Sequence, residues 1–348
     1  MKRLFIWGLG LGGVLIAVLL VALIVISYRL KDNMQNSINA QLQVLQEYIP
    51  SISYEPFTCS GVKSIACESS SIGLDGVVLE NVRLELGQFT QTQGSVRITS
   101  QKISFAGDEI LTLLFGVLAQ DVDFSTELLP QSLDCKISGV LDKSEQAPDF
   151  DTMDTSIACI TKGKNLSYKL VWDMQAGLGD VLAQAPTHFS DALSSMLKAY
   201  QDDSQKILSH TPVLFKSATL SLEPKELAQA IITKLANGQK LDAQAYQQYR
   251  INLARSLQSM KAFVMYIALL GDHRGKAQYL EVLVDGVLRM ILGENNGVVY
   301  GLGYKNKSAN NAFPLGEWLQ DPAVSLRKSG VTFSFEEIPL DSIESKKD

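Results

Sequence analysis

Asp272-His273-Arg274 sets a carboxylate, an imidazole and a guanidinium side by side, the residue types that acid–base catalysis uses. They follow a long helical pattern and read as a polar turn, where neighbouring charged side chains are ordinarily solvated. No nucleophile motif stands ready to use them, because the chain has neither G-x-S-x-G nor H-E-x-x-H. His188 and His210 have no metal-spaced neighbour. Asp149, Asp151 and Asp154, and separately Asp202-Asp203, could attract a cation. Asp151-x-x-Asp154 lacks the glycine and closing glutamate of a calcium loop, so 145–154 reads as a solvated acidic loop. Gly8-Leu-Gly-Leu-Gly-Gly lies inside an apolar run and is no phosphate cradle. Trp172 and Trp318 read as core or rim aromatics. Asn165-Leu-Ser and Asn306-Lys-Ser match the glycosylation acceptor pattern, which recurs by chance. No catalytic residue, cofactor or metal ligand emerges, and the chain reads as a non-enzyme. A cleft gathering Asp272, His273 and a nucleophile would revive a hydrolase reading.

The remaining reactive groups are four cysteines, Cys59, Cys67, Cys135 and Cys159, none of them in a C-x-x-C arrangement. An even count in an exported domain points to disulfides. Cys59–Cys67 with Cys135–Cys159 is the simplest of three pairings. Closing those loops would stabilise by about 2.5 and 3.5 kcal/mol in the chain-entropy model. Four buried thiols in a reducing compartment are the alternative, and a four-cysteine zinc site would want tighter paired spacing.

The element that places all of this in the cell is the run Leu4 to Ile26, apolar and uncharged throughout. At ~1.5 Å per residue it crosses a hydrocarbon core of ~30 Å. It exceeds the ~7–15-residue apolar region of a cleaved signal peptide, and Val25-Ile26-Ser27-Tyr28 offers no A-x-A site. An uncleaved signal anchor over 4–27 is expected, contacting the lipid bilayer, with residues 1–3 as a cytoplasmic tail. Gly8-x-x-x-Gly12 could pack closely on another membrane helix. Lys2 and Arg3 before the run, against Arg29, Lys31 and Asp32 after it, give a small bias toward a cytoplasmic N-terminus. The net charge is −6, yet the first 31 residues hold four basic and no acidic side chains, so the rest carries 27 basic against 37 acidic. That balance excludes a nucleic-acid partner, which needs a basic footprint. It also argues against adsorption to an anionic bilayer through surface charge.

Beyond the run, Met34, Ile38, Leu42, Leu45 and Ile49 recur at helical spacing among Asn and Gln, and Pro50 stops them. This is an amphipathic stalk over 28–50, packing on its own domain, with a glutamine-rich face suited to a solvated spacer. From Ser51 to Val171 the period is two. Runs such as Val77 to Leu86, broken around Asn81, and Val96 to Phe105 are separated by turn formers, as in an antiparallel sheet with one wet face. Ile110 to Leu118 reads as a helical turn or two over the sheet. Further strands are expected from Val122, over 136–141, 156–161 and 166–172. After Gly177 the period lengthens: a helix from about Thr187, a strand over 215–222, a helix after Pro224 closed by Asn237-Gly238, and a long helix from Asp242 to Leu270. Strands Tyr279–Val284, Val287–Leu292 and Val298–Tyr304 are expected next, with Asp285-Gly286 and Asn295-Asn296-Gly297 as hairpin turns. The segment from Pro314 is looser.

Gly76-Val-Val-Leu-Glu-Asn-Val-Arg-Leu, Val96-Arg-Ile with Ile103-Ser-Phe, and Ile110-Leu-Thr-Leu-Leu-Phe-Gly with Val122-Asp resemble the start of AsmA-like envelope proteins. Ala218-Thr-Leu-Ser-Leu followed by Pro224-Lys-Glu-Leu, and the approach to Tyr54-Glu-Pro-Phe-Thr-Cys, are more similar to YdgA-like periplasmic proteins. The resemblance implies one inner-membrane helix followed by a curved antiparallel periplasmic sheet, then strands alternating with helices. It supplies no catalytic residue. The expected fold is α+β: anchor 4–27, stalk 28–50, a β-rich periplasmic domain over 51–176, and an α+β domain over 177–348 with helices packed on a further antiparallel meander. The expected function is that of a single-pass bacterial inner-membrane protein whose periplasmic sheet offers an apolar face to a lipid or hydrophobic client in envelope maintenance. A structural or assembly factor acting through envelope-protein contacts is the alternative.

Overall fold

The computed structural model describes residues 51–61, 65–105 apart from 75, 88 and 89, 125–142, 152–178, 211–270, 277–303 and 331–339. It also describes isolated positions elsewhere, among them Gln35, Asn36, Ile38, Asn39, Leu42, Gln43 and Gln46. Several expectations lie outside the described residues: the span 4–27, the block 110–118, the strand start at Val122, Asp202-Asp203 and Asp272-His273-Arg274. Among the described residues no helix is long and apolar enough to cross a membrane.

Period-two patterning builds one antiparallel sheet of twelve strands. These are β1 (Ile52–Tyr54), β2 (Thr58–Ser60), β3 (Ala66–Leu74), β4 (Val77–Leu86), β5 (Gln93–Phe105), β6 (Ser132–Asp142), β7 (Thr152–Lys162), β8 (Leu166–Gly177), β9 (Pro212–Pro224), β10 (Gly297–Gly303), β11 (Phe313–Pro314) and β12 (Thr332–Ile338). From β3 to β10 each strand pairs with the next in sequence, and β12 follows β10 at the far side. β1 and β2 both pair with β3, and β11 pairs with β9. One sheet therefore runs through both halves of the chain, joined where β8 meets β9. The fold is α+β, a large antiparallel sheet with few helices.

The break read at Asn81 is a real irregularity shared by three strands. Buried positions in β4 fall at Val77 and Leu79, then at Val82 and Leu84, so the alternation slips by one residue. Asn81 takes φ 52°, a left-handed conformation that asparagine tolerates. β3 slips between Ser69 and Ile72, and β5 between Ser100 and Ile103. Each of the three strands gains one residue at the same level, Ser70, Asn81 and Gln101, so register survives. The buried hydroxyls of Ser69 and Ser100 donate to the backbone carbonyls of Glu55 and Glu80, at 2.6 and 2.8 Å. These contacts satisfy groups that the slip would strand.

Two apolar layers cover the same face. At the β1–β6 end, Ile38 and Leu42 of the N-terminal helical stretch join Phe57, Leu84, Ile98 and Cys135 in one core. Burying those two helix side chains contributes about 3–6 kcal/mol. At the other end, α2 (Leu227–Leu235), α3 (Ala243–Leu270) and α4 (Ala277–Ile291) pack on Leu222, Val298 and Tyr300. They follow α1 (Ser125–Leu128), which contributes Leu128 to the same core. Asp242 accepts the Ala245 N–H at 2.7 Å and caps α3, as its position suggested.

Three expectations need correction. Residues 279–291 form most of α4 and not two strands, with Leu292 in the turn that follows. Val284, Val287, Leu288 and Ile291 fit helical spacing and face the core. Gly286 marks close packing: a Cβ there would lie 2.6 Å from the Phe335 ring. Asn295-Asn296-Gly297 does lead into a strand, β10, with Gly297 at φ 146°. The acidic stretch does not stay a loop as far as Asp154, because β7 starts at Thr152 and Asp154 pairs with Lys216 at 2.7 Å. The region after Pro314 supplies β12, whose Phe333 and Phe335 close the second core.

Candidate functional site

Register brings one row of apolar side chains across the covered face, strand by strand. It runs Cys59, Cys67, Leu84, Ile98, Cys135, Cys159, Leu170, Leu220, Tyr300 and Phe335. All four cysteines lie in it. Both bridges are the pairs judged simplest, Cys59–Cys67 and Cys135–Cys159, with Cα atoms 3.9 and 4.0 Å apart. Directly opposed residues of an antiparallel pair come closest where they exchange no hydrogen bonds. At the sheet edge such a position turns the Cys59 N–H outward, and Gln35 accepts it at 3.0 Å.

Gln35 is one of three amides that bind this edge. Asn39 accepts the Phe57 N–H at 2.8 Å and donates to the Phe57 carbonyl at 3.0 Å, as a neighbouring strand would. Gln46 donates to the Ile52 carbonyl at 3.0 Å. The glutamine-rich face is therefore more than a solvated spacer, although Asn36 and Gln43 are exposed. An edge strand left unpaired invites association with other chains, and the helix blunts it.

The apolar row is buried from Cys59 to Cys159 and again at Tyr300, and it opens between them at Leu170 and Leu220. Leu220 is 37% exposed, and Leu170, Trp172 and Ala218 beside it are half-buried. The next row, Ile137, Ile157, Trp172, Ala218, Leu302 and Phe333, is apolar as well. Trp172 meets Phe215 edge-on at 5.7 Å. Its indole N–H is buried with no acceptor among the described residues. Among the described residues this opening is lined by uncharged side chains; it can receive an apolar group and offers no acid, base or nucleophile.

Charged groups cluster elsewhere. Glu127 on α1 is buried; Lys164 lies at 3.1 Å and Lys234 at 3.5 Å, and the Asn165 amide donates to it. Burial works to raise this carboxyl's pKa, but the Lys164 hydrogen bond and charge, the Lys234 charge and Asn165 outweigh it and hold the group below the ordinary range. Asn165 of the glycosylation pattern is thus engaged with Glu127. The Tyr168 hydroxyl donates to the Leu128 carbonyl, and burial pushes its pKa up. The knot ties α1, the β7–β8 turn and α2 together. On the opposite face of the sheet, cross-strand pairs such as Arg97–Asp134 at 2.6 Å keep a balanced, wet surface.

Asp154, on that wet face, accepts from Gln175 at 2.8 Å as well as pairing with Lys216. His188 is exposed, ahead of the buried Phe189. Among the described residues no three His, Cys, Asp or Glu side chains could hold a metal ion. Sequence reasoning missed Glu127, Leu220 and the edge-binding amides. The amides carried a signal: a helix face of Asn and Gln, without Lys or Glu, supplies paired donors and acceptors. Leu220 carried none, since nothing in its own alternating strand distinguishes it from the buried Leu222.

No family model, curated protein or solved structure matches the chain.

Proposed function

We propose that this is a single-pass bacterial inner-membrane protein, held by residues 4–27, whose periplasmic domain binds an apolar client through the opening at Leu170, Trp172, Ala218 and Leu220. The observation that carries the reading is the row of apolar side chains, buried from Cys59 to Cys159 and at Tyr300 and open between them at Leu220. The uncharged run at the N-terminus supports the anchor. The two disulfides support an oxidising compartment. The resemblance to AsmA-like and YdgA-like proteins supports the same placement. The client is a lipid acyl chain, which asks only for apolar contact along its length. The row accounts for binding without chemistry, in keeping with a non-enzymatic role in envelope maintenance.

Mass spectrometry of lipid retained on the full chain, purified in detergent, tests this. Wild type is expected to carry acyl lipid, and Leu220→Asp to lose most of it while keeping both bridges and its thermal midpoint. Equal lipid on both proteins would place the lipid elsewhere. No lipid on either, together with co-purifying envelope proteins, would favour an assembly factor acting through protein contacts.

A further inference from the structure

The two bridges join nearest neighbours in sequence, across separations of 8 and 24 residues. The four other pairings would close loops of 68 to 100 residues, the shortest from Cys67 to Cys135. Closure probability in a flexible chain falls roughly as the −3/2 power of loop length. On that weighting alone, roughly nine in ten first bonds in the unfolded chain are native ones, and Cys59–Cys67 forms about fivefold more often than Cys135–Cys159. Folding does not undo this bias, because each native pair is also a direct cross-strand pair.

Access sets the order of events. Cys67, Cys135 and Cys159 are almost fully buried, on the face that the helices cover. Thiol–disulfide exchange needs an in-line approach of one sulfur to another, so an oxidant must reach these thiols before the layers close.

We propose that the chain acquires its bridges by direct two-electron oxidation of sequence-nearest thiols before the sheet is covered, and that the partner this requires is a disulfide-bearing oxidant and not a disulfide-reshuffling enzyme. In each step a cysteine thiolate attacks the oxidant's disulfide and forms a mixed disulfide. The first attack expels one oxidant sulfur; the second cysteine's thiolate then attacks the first cysteine's sulfur and expels the oxidant sulfur held in the mixed disulfide. The chain loses two electrons and two protons per bridge, and the oxidant leaves as two thiols. This rests on the cysteine geometry and is independent of the client reading.

The test uses the full chain in detergent micelles, reduced in urea and then exposed to oxidised glutathione. Alkylation at timed points and peptide mapping identify the bridges. About nine-tenths of single-bridge molecules are expected to hold Cys59–Cys67 or Cys135–Cys159, with the former in clear excess. Diluting out the urea should then give the same folded yield with or without a protein disulfide isomerase. Crossed bridges in more than a third of single-bridge molecules would overturn the proposal, as would a severalfold gain from the isomerase. The mapping is done in denaturant, so it decides the matter even if refolding is poor.

Discussion

Replacing Glu127 separates a folded-state role for its charge from mere packing. Its side chain is 5% exposed, and its lysine partners are 61% (Lys164) and 32% (Lys234) exposed. Breaking a fully buried ion pair costs about 3–5 kcal/mol, but water compensates much of what Lys164 loses. Glu127→Ala should therefore cost about 2–3 kcal/mol, through the contacts of Lys234 and Asn165. Glu127→Gln, which keeps an acceptor for Asn165, should cost about 1–2 kcal/mol. The pH dependence fixes the sign. The folded pKa lies below the ordinary value, so the carboxylate's contribution is fully present above about pH 4.3 and is lost as pH falls through the folded value. Urea unfolding of both proteins, with bridges intact, should show the widest gap between wild type and Glu127→Gln at pH 7 and a narrower one near pH 3. A gap that is constant or widening toward acid would refute the reasoning.

Three further outcomes are expected. Removing Cys135–Cys159 with a double alanine variant should lower stability by about 3.5 kcal/mol and removing Cys59–Cys67 by about 2.5 kcal/mol, read by chemical denaturation; equal losses would contradict the loop-length argument. Gly286→Ala should destabilise by about 1–3 kcal/mol despite alanine's better helix propensity, because its methyl meets the Phe335 ring 2.6 Å away; a more stable variant would contradict the close packing of α4. Asn39→Ala should cost about 1–3 kcal/mol and speed amide exchange at Phe57, whose N–H it holds at 2.8 Å; unchanged exchange would mean that the helix does not bind the edge.

The first half was legible because each strand buries one face and wets the other, so alternation shows directly in residues such as Val77 to Leu86. Even the slip at Asn81 left its mark in the pattern. Spacing made the cysteine pairing the simplest of three without deciding it; the cross-strand register of Cys59 with Cys67 and of Cys135 with Cys159 does. Asp285-Gly286 misled because a glycine needed for close helix–sheet approach looks the same in sequence as one needed for a turn. Only the position of Phe335, some fifty residues later in the chain, tells the two apart. The opening at Leu220 depends on register across strands far apart in sequence, and on its lying between two separate cores. Local pattern carries neither.

Cell fractionation followed by thiol alkylation without reductant tests the central claim most directly. The account predicts that the full chain sediments with membranes, resists alkaline extraction, is digested by protease added to spheroplasts, and takes up no alkylating agent at any cysteine. Recovery of the intact chain in the soluble cytosolic fraction, with alkylatable thiols, would contradict it.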